Sequence, residues 1–210
     1  MLMKKVVDIA VSVSVLIVLS PVLIALTLLV FIIHGWPIVF VQERPGLQGK
    51  PFLMYKFRSM TNATDTSGAL LPPEERITRF GKFIRATSLD ELPEFYNVLR
   101  GEMSLVGPRP LRMEYLERYT PGQMRRHEVR PGITGWAQIH GRNDISWEDK
   151  FRLDVWYVDN WSLMLDFRIL LSTVGLVLSR KGIAPDGAVI MTEFMGSDEG
   201  APETTVKTQQ

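Results

Sequence analysis

The polarity of the chain changes abruptly near residue 33. Val6 to Ile33 is almost wholly apolar, with Asp8 as the one charge in the run and Lys4 and Lys5 just ahead of it. At 1.5 Å per residue, about 28 helical residues reach about 42 Å, longer than a hydrocarbon core of about 30 Å. Ser20-Pro21 lies in the middle. Pro21 removes the bond to the carbonyl four residues back and predicts a kink. Each half is then about 20 Å long, too short to span alone. Two topologies fit: a kinked span that carries the rest of the chain across, or a re-entrant helix that bends at Pro21 and returns to the same face. Lys4 and Lys5 place the start in the cytoplasm. A span would then export the charged remainder, so the pattern favours the re-entrant helix. The run is also too long for a secretory signal, and no small-residue cleavage site follows it.

Beyond residue 34 the pattern shortens. Ile38 to Val41 and Phe52 to Met60 read as strands, with turn residues Arg44-Pro45-Gly46 and Gly49-Lys50 between them. Alternation puts Leu53, Tyr55 and Phe57 on one face, with Met54, Lys56 and Arg58 on the other. Thr61 to Pro73 is a polar surface loop. Leu92, Phe95, Tyr96 and Leu99 share a helical face that Gly101 ends. Leu111 to Tyr119 looks helical. Ser146 caps a helix with Trp147, Phe151, Val155 and Val158 on one face, and Leu163 to Leu178 forms another. Trp147, Trp156, Tyr157 and Trp161 suit either a membrane interface or a core. From Gly182 the chain reads as a loose tail. The expected architecture is α/β, mostly α with a small β-hairpin. It divides into a re-entrant helix over 1–34, a compact cytoplasmic catalytic domain with interfacial amphipathic helices over 35–182, and a tail over 183–210.

Composition narrows the chemistry. The 210 residues carry a net charge of +1 and no cysteine. That excludes a nucleic-acid binder by charge, a disulfide framework and a thiolate metal site. Only three histidines exist. None pair at ligand spacing, so His127 reads as structural or exposed.

The chain is organised around Arg85-Ala-Thr-Ser-Leu-Asp-Glu-Leu-Pro93. Asp90 and Glu91 are adjacent carboxylates, and Pro93 is tolerated only in a first helical turn. Asp90 is therefore the preferred N-cap, at the positive end of the helix dipole, which would depress its pKa. Ser88 with Glu91 as a capping box is the alternative. Lys56, Arg85, Arg109 and Arg142 all sit beside turns. Pro108 and Pro110 hold Arg109 rigidly, and Gly107 permits close approach. Such cations suit a diphosphate. The carboxylate pair suits Mg²⁺, which uses one or two carboxylates plus substrate phosphates. A carboxylate can also attack phosphorus. Beside a membrane helix, a phosphorylated lipid is a natural second substrate. No Walker loop and no G-x-G-x-x-G is present.

The ordered motifs Ser20-Pro21, Gln42-Glu-Arg-Pro-Gly46, Tyr55-Lys-Phe-Arg-Ser-Met60, Thr87-Ser-Leu-Asp-Glu-Leu-Pro93, Leu99-Arg-Gly-Glu-Met-Ser104, Val106-Gly-Pro-Arg-Pro110, Val129-Arg-Pro-Gly-Ile-Thr-Gly135 and Gly141-Arg-Asn143 resemble the bacterial sugar transferase family. These are the monotopic phosphoglycosyl transferases, and the similarity is greatest to the small, PglC-type members. The resemblance implies transfer of a phospho-sugar from a UDP-sugar to polyprenyl phosphate, with release of UMP, at the cytoplasmic face of the bacterial inner membrane. It implies Asp90 as the nucleophile of a covalent intermediate and Glu91, with Asp90, as the Mg²⁺ site. It implies phosphate binding by Lys56, Arg85 and Arg109, and nucleotide or sugar binding by Arg142. The break at Ser20-Pro21 is similar to the family's re-entrant helix. A hydrolase using the same site, or a non-catalytic scaffold binding anionic lipid, are the competing readings. The resemblance leaves the sugar and a homodimer open.

Overall fold

The computed structural model describes residues 2–141, 145–179 and 193–196. Two helices open it, α1 (Leu2–Val18) and α2 (Ser20–His34), bent by 66° at Leu19. Pro21 sits in the first turn of α2, where its missing N–H costs nothing. No single described helix is long and apolar enough to cross a membrane. The pair instead leaves Val6, Ile17, Ile24, Leu28, Phe31 and Ile32 exposed. One side of α2 is buried: Leu26 and Val30 pack with Phe57, Ile84 and Leu92.

An antiparallel hairpin follows, β1 (Val39–Pro45) and β2 (Pro51–Phe57), in register from Val39↔Phe57 to Pro45↔Pro51. It lies a few residues off the expected strand limits, and Met60 is left in an isolated bridge with Ile77. The expected faces hold only in part. Phe52 and Met54 are buried by alternation, but Phe57 and Arg58 are both buried. The strand ends at Phe57, and Arg58 turns in to donate to the Pro37 carbonyl at 2.9 Å.

The loop after β2 is mostly exposed, up to the short α3 (Pro73–Arg76). Thr78 caps α4 (Arg79–Ala86) by accepting from Gly81 N–H at 2.8 Å. Gly81 is fixed by space: a Cβ there would lie 1.8 Å from the Ser59 carbonyl. A tight turn at Leu89–Glu91 leads through Leu92 and Pro93 into α5 (Glu94–Leu99). Neither expected cap forms. Pro93 occupies the N-cap, Ser88 adopts a left-handed conformation with φ +55°, and neither Ser88 nor Asp90 caps the helix with its side chain. Gly101 ends α5 as expected, with φ +75°. Its N–H reaches Val98 O and that of Glu102 reaches Asn97 O. The buried face of α5 is Glu94, Asn97 and Val98. The expected apolar face holds in part: Leu92 is buried and Phe95 packs against the core, but Tyr96 is 50% exposed.

A second, parallel pair joins β3 (Ser104–Val106) to β4 (Gly132–Thr134). Sequence patterning gave no sign of it. Gly107 permits the close approach expected of it: a Cβ would meet Arg130 O at 2.3 Å. Between these strands, Met113–Arg118 forms a 3₁₀ rather than an α-helix, and α6 (Pro121–Met124) carries a capping box from Thr120. Then come α7 (Trp136–Ile139), α8 (Trp147–Asp159), capped by Ser146 as expected, and α9 (Leu163–Ser179). The inner face of α8 is Phe151, Asp154 and Tyr157. Tyr157 belongs to the core, whereas Trp156 is 41% exposed and stacks on Trp136.

Two polar links tie α1 to this body. Asp8, buried despite its charge, accepts from Ser104 Oγ at 2.8 Å and Leu105 N–H at 3.2 Å. Lys4 donates to Asp166 at 2.5 Å and to the Val106 carbonyl at 3.1 Å. Of residues 183–210 only 193–196 are described, and there Phe194 is 1% exposed, packed with Tyr115 and Phe151.

Candidate active site

Three elements converge on the Asp90 turn. β2 supplies Lys56, α4 supplies Arg85, and the loop after β3 supplies Arg109. Lys56 Nζ donates to Glu91 Oε1 at 2.7 Å, and Arg109 Nη2 donates to the same oxygen at 2.5 Å. No hydrogen bond among the described residues uses Glu91 Oε2. Glu94, one turn along, is 2% exposed; its Oε1 lies 3.1 Å from Lys56 Nζ, an ion pair by distance without hydrogen-bond geometry. Arg85 Nε donates to Ser59 Oγ at 2.7 Å and feels the Asp90 charge.

Asp90 differs from its neighbours. It is 8% exposed and makes no hydrogen bond or ion pair among the described residues. Burial first, then the Glu91 charge, pushes its pKa up to about 6, against the pull of Lys56, Arg109 and Arg85. This corrects the expectation that a helix dipole depresses it. Asp90 lies ahead of α5 without capping it, so desolvation and a like charge dominate. The group is still mainly ionised at neutral pH. Burial also opposes ionisation of Glu91, but Arg109 and Lys56 overcome it and hold that carboxyl far below its usual range. Glu94 is pushed up to about 7, chiefly by burial. Burial lowers Lys56, but Glu91, Glu94 and Asp90 together outweigh it and its ammonium is held charged.

The site therefore gathers Asp90, Glu91, Lys56, Arg85 and Arg109, as their motifs suggested. Arg142 lies outside the described residues. Glu94 went unrecognised in the sequence, although its spacing from Asp90 and Glu91, four and three residues on, is that of one helical face. Arg126 adjoins the site through the Arg109 backbone. It is buried, pairs with Asp154 Oδ2 at 2.7 Å, and donates to the Arg109 carbonyl at 2.7 Å. His127, as expected, is structural: it is buried with Nδ1 3.2 Å from Gly46 O.

A fixed carboxylate between two cations, next to an unpaired one, is an arrangement for phosphate chemistry at the edge of an apolar helix pair. Comparison with known proteins gives the class. The family description "Bacterial sugar transferase" matches residues 1–180, and the chain belongs to that family of enzymes. It is 53% identical over 199 residues to the "Uncharacterized sugar transferase EpsL" of Bacillus subtilis (strain 168), covering 95% of this chain and 98% of that protein. It is 42% identical over 184 residues to a "UDP-glucose:undecaprenyl-phosphate glucose-1-phosphate transferase" of Klebsiella pneumoniae, covering 83% of this chain and 40% of that protein. It is 41% identical over 197 residues to an "Undecaprenyl-phosphate galactose phosphotransferase" of Salmonella typhimurium, covering 86% and 41%. The chain thus spans about two fifths of the length of the latter two relatives.

Proposed function

We propose that this chain transfers a sugar phosphate from a UDP-sugar to polyprenyl phosphate, at the cytoplasmic face of the bacterial inner membrane. The observation that carries the mechanism is the contrast between Glu91, held by Lys56 and Arg109, and Asp90, which is buried and makes no hydrogen bond or ion pair among the described residues. An Asp90 oxygen attacks the phosphorus that bears the sugar. The bond from that phosphorus to the bridging oxygen breaks, and UMP leaves. A phosphate oxygen of the polyprenyl phosphate then attacks the same phosphorus, freeing the Asp90 carboxylate and giving polyprenyl diphosphate-sugar. Lys56, Arg85 and Arg109 bind the phosphates and offset repulsion between carboxylate and diphosphate. The relatives named for undecaprenyl-phosphate transfer support the overall reaction.

No group of three or more described metal-ligating side chains is arranged to hold an ion by itself. That fits Mg²⁺ held by one or two carboxylates and the substrate's own phosphates. Asp90 and the unbonded Oε2 of Glu91 would hold it. When bound, it neutralises phosphate charge in the transition state. The bent α1–α2 pair, with its exposed apolar side chains, supports a re-entrant helix in the lipid, as does the polar anchoring of α1 to the body. The test is UMP release from a panel of UDP-sugars, with and without polyprenyl phosphate. Sustained release only with the lipid is expected. Equal release without it would make the chain a hydrolase, and no release with any donor would remove the transferase reading.

A further inference from the structure

The Arg109 loop is held from behind by a chain of contacts that ends in the C-terminal segment. Arg126 is the largest fully buried side chain. Its guanidinium binds Asp154 Oδ2 through Nε at 3.0 Å and Nη2 at 2.7 Å, and Nη2 also binds the Arg109 carbonyl. The rings of Tyr119 and Phe151 flank it, with centroids 5.8 and 5.7 Å from its Cζ. Phe194 packs on both rings, at 5.8 and 5.0 Å between centroids, and on Tyr115 and Trp147 at 5.7 and 5.5 Å. Its backbone is tied down as well. Arg118 Nη1 donates to the Phe194 carbonyl and to Glu193 Oε1, while Phe194 N–H donates to the Tyr115 hydroxyl at 3.3 Å.

We propose that Phe194 is a positioning residue for Arg109: seated among Tyr115, Tyr119, Trp147 and Phe151, it completes the apolar wall that fixes Arg126, and Arg126 fixes the Arg109 backbone. A buried ion pair needs a tightly packed, satisfied environment to hold one geometry. Arg109 is a half-exposed side chain whose orientation depends on its backbone, anchored at the carbonyl by Arg126. The proposal rests on the reading of Arg109 as a phosphate ligand. It explains why residues more than a hundred positions from the Asp90 turn are packed into the body and not left as tail.

The experiment compares full-length wild type with Phe194→Ala, Phe194→Leu and Arg118→Gln. It measures kcat/KM for the UDP-sugar donor and hydrogen exchange of peptides covering 105–112. Phe194→Ala is expected to lower kcat/KM about tenfold and to speed exchange at 105–112. Phe194→Leu, which refills most of the volume, should stay within about threefold of wild type. Arg118→Gln keeps every aromatic side chain but removes the tie on the Phe194 carbonyl, which should loosen its seat and raise exchange at 105–112. It carries the test if Phe194→Ala does not fold. A folded Phe194→Ala with wild-type kcat/KM and faster exchange only around 113–119 and 147–151 overturns the proposal. So does faster turnover, which would make the segment a brake. A wild type without transfer activity would sink the proposed function, while the exchange data would still decide whether Phe194 orders the Arg109 loop.

Discussion

In α1 and α2 most large apolar side chains point outward, whereas the body beyond Val39 hides charge. Asp90, Glu94, Arg126, His127 and Asp154 are all buried there. The helix pair gains from apolar burial only if something outside the chain covers it, at about 25 cal/mol per Å². The body bears the opposite load, because a buried charge costs several kcal/mol unless paired and hydrogen-bonded. The two regions meet at the Asp90 turn. Leu92, two residues on, is in the cluster with Leu26 and Val30 of α2, and Leu89 packs against it. The site thus lies where a surface suited to a lipid chain touches a cluster suited to phosphate. Some of the buried charge serves chemistry and some serves only the fold, and the predictions separate the two.

Asp90→Asn breaks the contrast most severely. It keeps shape and burial but removes the proposed nucleophile, and turnover should fall by about four orders of magnitude or more, read as UMP release. Near-normal turnover would assign Asp90 to structure. His127 represents buried polarity without chemistry. Burial, helped by the Arg126 charge, holds its pKa down to about 4. The unfolded chain takes up a proton below about 6.5, and the folded chain only near 4. Its contribution to stability is therefore fully present above about 6.5 and falls by about 3 kcal/mol as pH drops toward 4. The difference in unfolding free energy between wild type and His127→Gln across that range should show the loss, because the raised pKa values of Glu94 and Asp90 shift the total stability in the opposite sense. A difference that does not change with pH would mean that the imidazole charges without cost.

Arg109→Lys should lower kcat/KM by about a hundredfold, because an ammonium cannot hold Glu91 and a phosphate with the same planar fork. A change under threefold would argue against phosphate contact. The smallest effect belongs to the link between the two regions. Asp8→Asn leaves an acceptor for Ser104 or Leu105 but removes the charge, and should cost about 1–2 kcal/mol in thermal unfolding. An unaltered melting curve would show that α1 docks by apolar contact alone.

The sequence carried those parts of the molecule whose signals are local. The apolar run, its break at Pro21, the hairpin, the Ser146 cap and the Gly101 stop each depend on a few neighbouring residues. The candidate site was legible as well, because Lys56, Arg85, Asp90, Glu91 and Arg109 lie in compact motifs. What escaped depended on distant partners. The β3–β4 pair needs residues 104 and 132 side by side, and three-residue strands have no readable alternation. The burial of Glu94 and Asn97 on α5 was missed because both are polar; Lys56, the hairpin backbone and Glu102 make it tolerable. The direction of the Asp90 shift was missed for the same reason: a cap position suggests a dipole, whereas the turn is packed by α4 and β2. In the sequence Phe194 lies among Val189, Ile190, Met191 and Met195, a short apolar cluster that the loose-tail reading passed over.

The central claim is that Asp90 carries the sugar phosphate between donor and acceptor. Its most direct test is the intact mass of the protein after incubation with Mg²⁺ and a panel of UDP-sugars, without lipid acceptor, for wild type and Asp90→Asn. A gain of one phospho-sugar on wild type, absent from the variant and discharged by polyprenyl phosphate, is the predicted result. An adduct that persists in Asp90→Asn, or full turnover by that variant with no adduct on wild type, would contradict it.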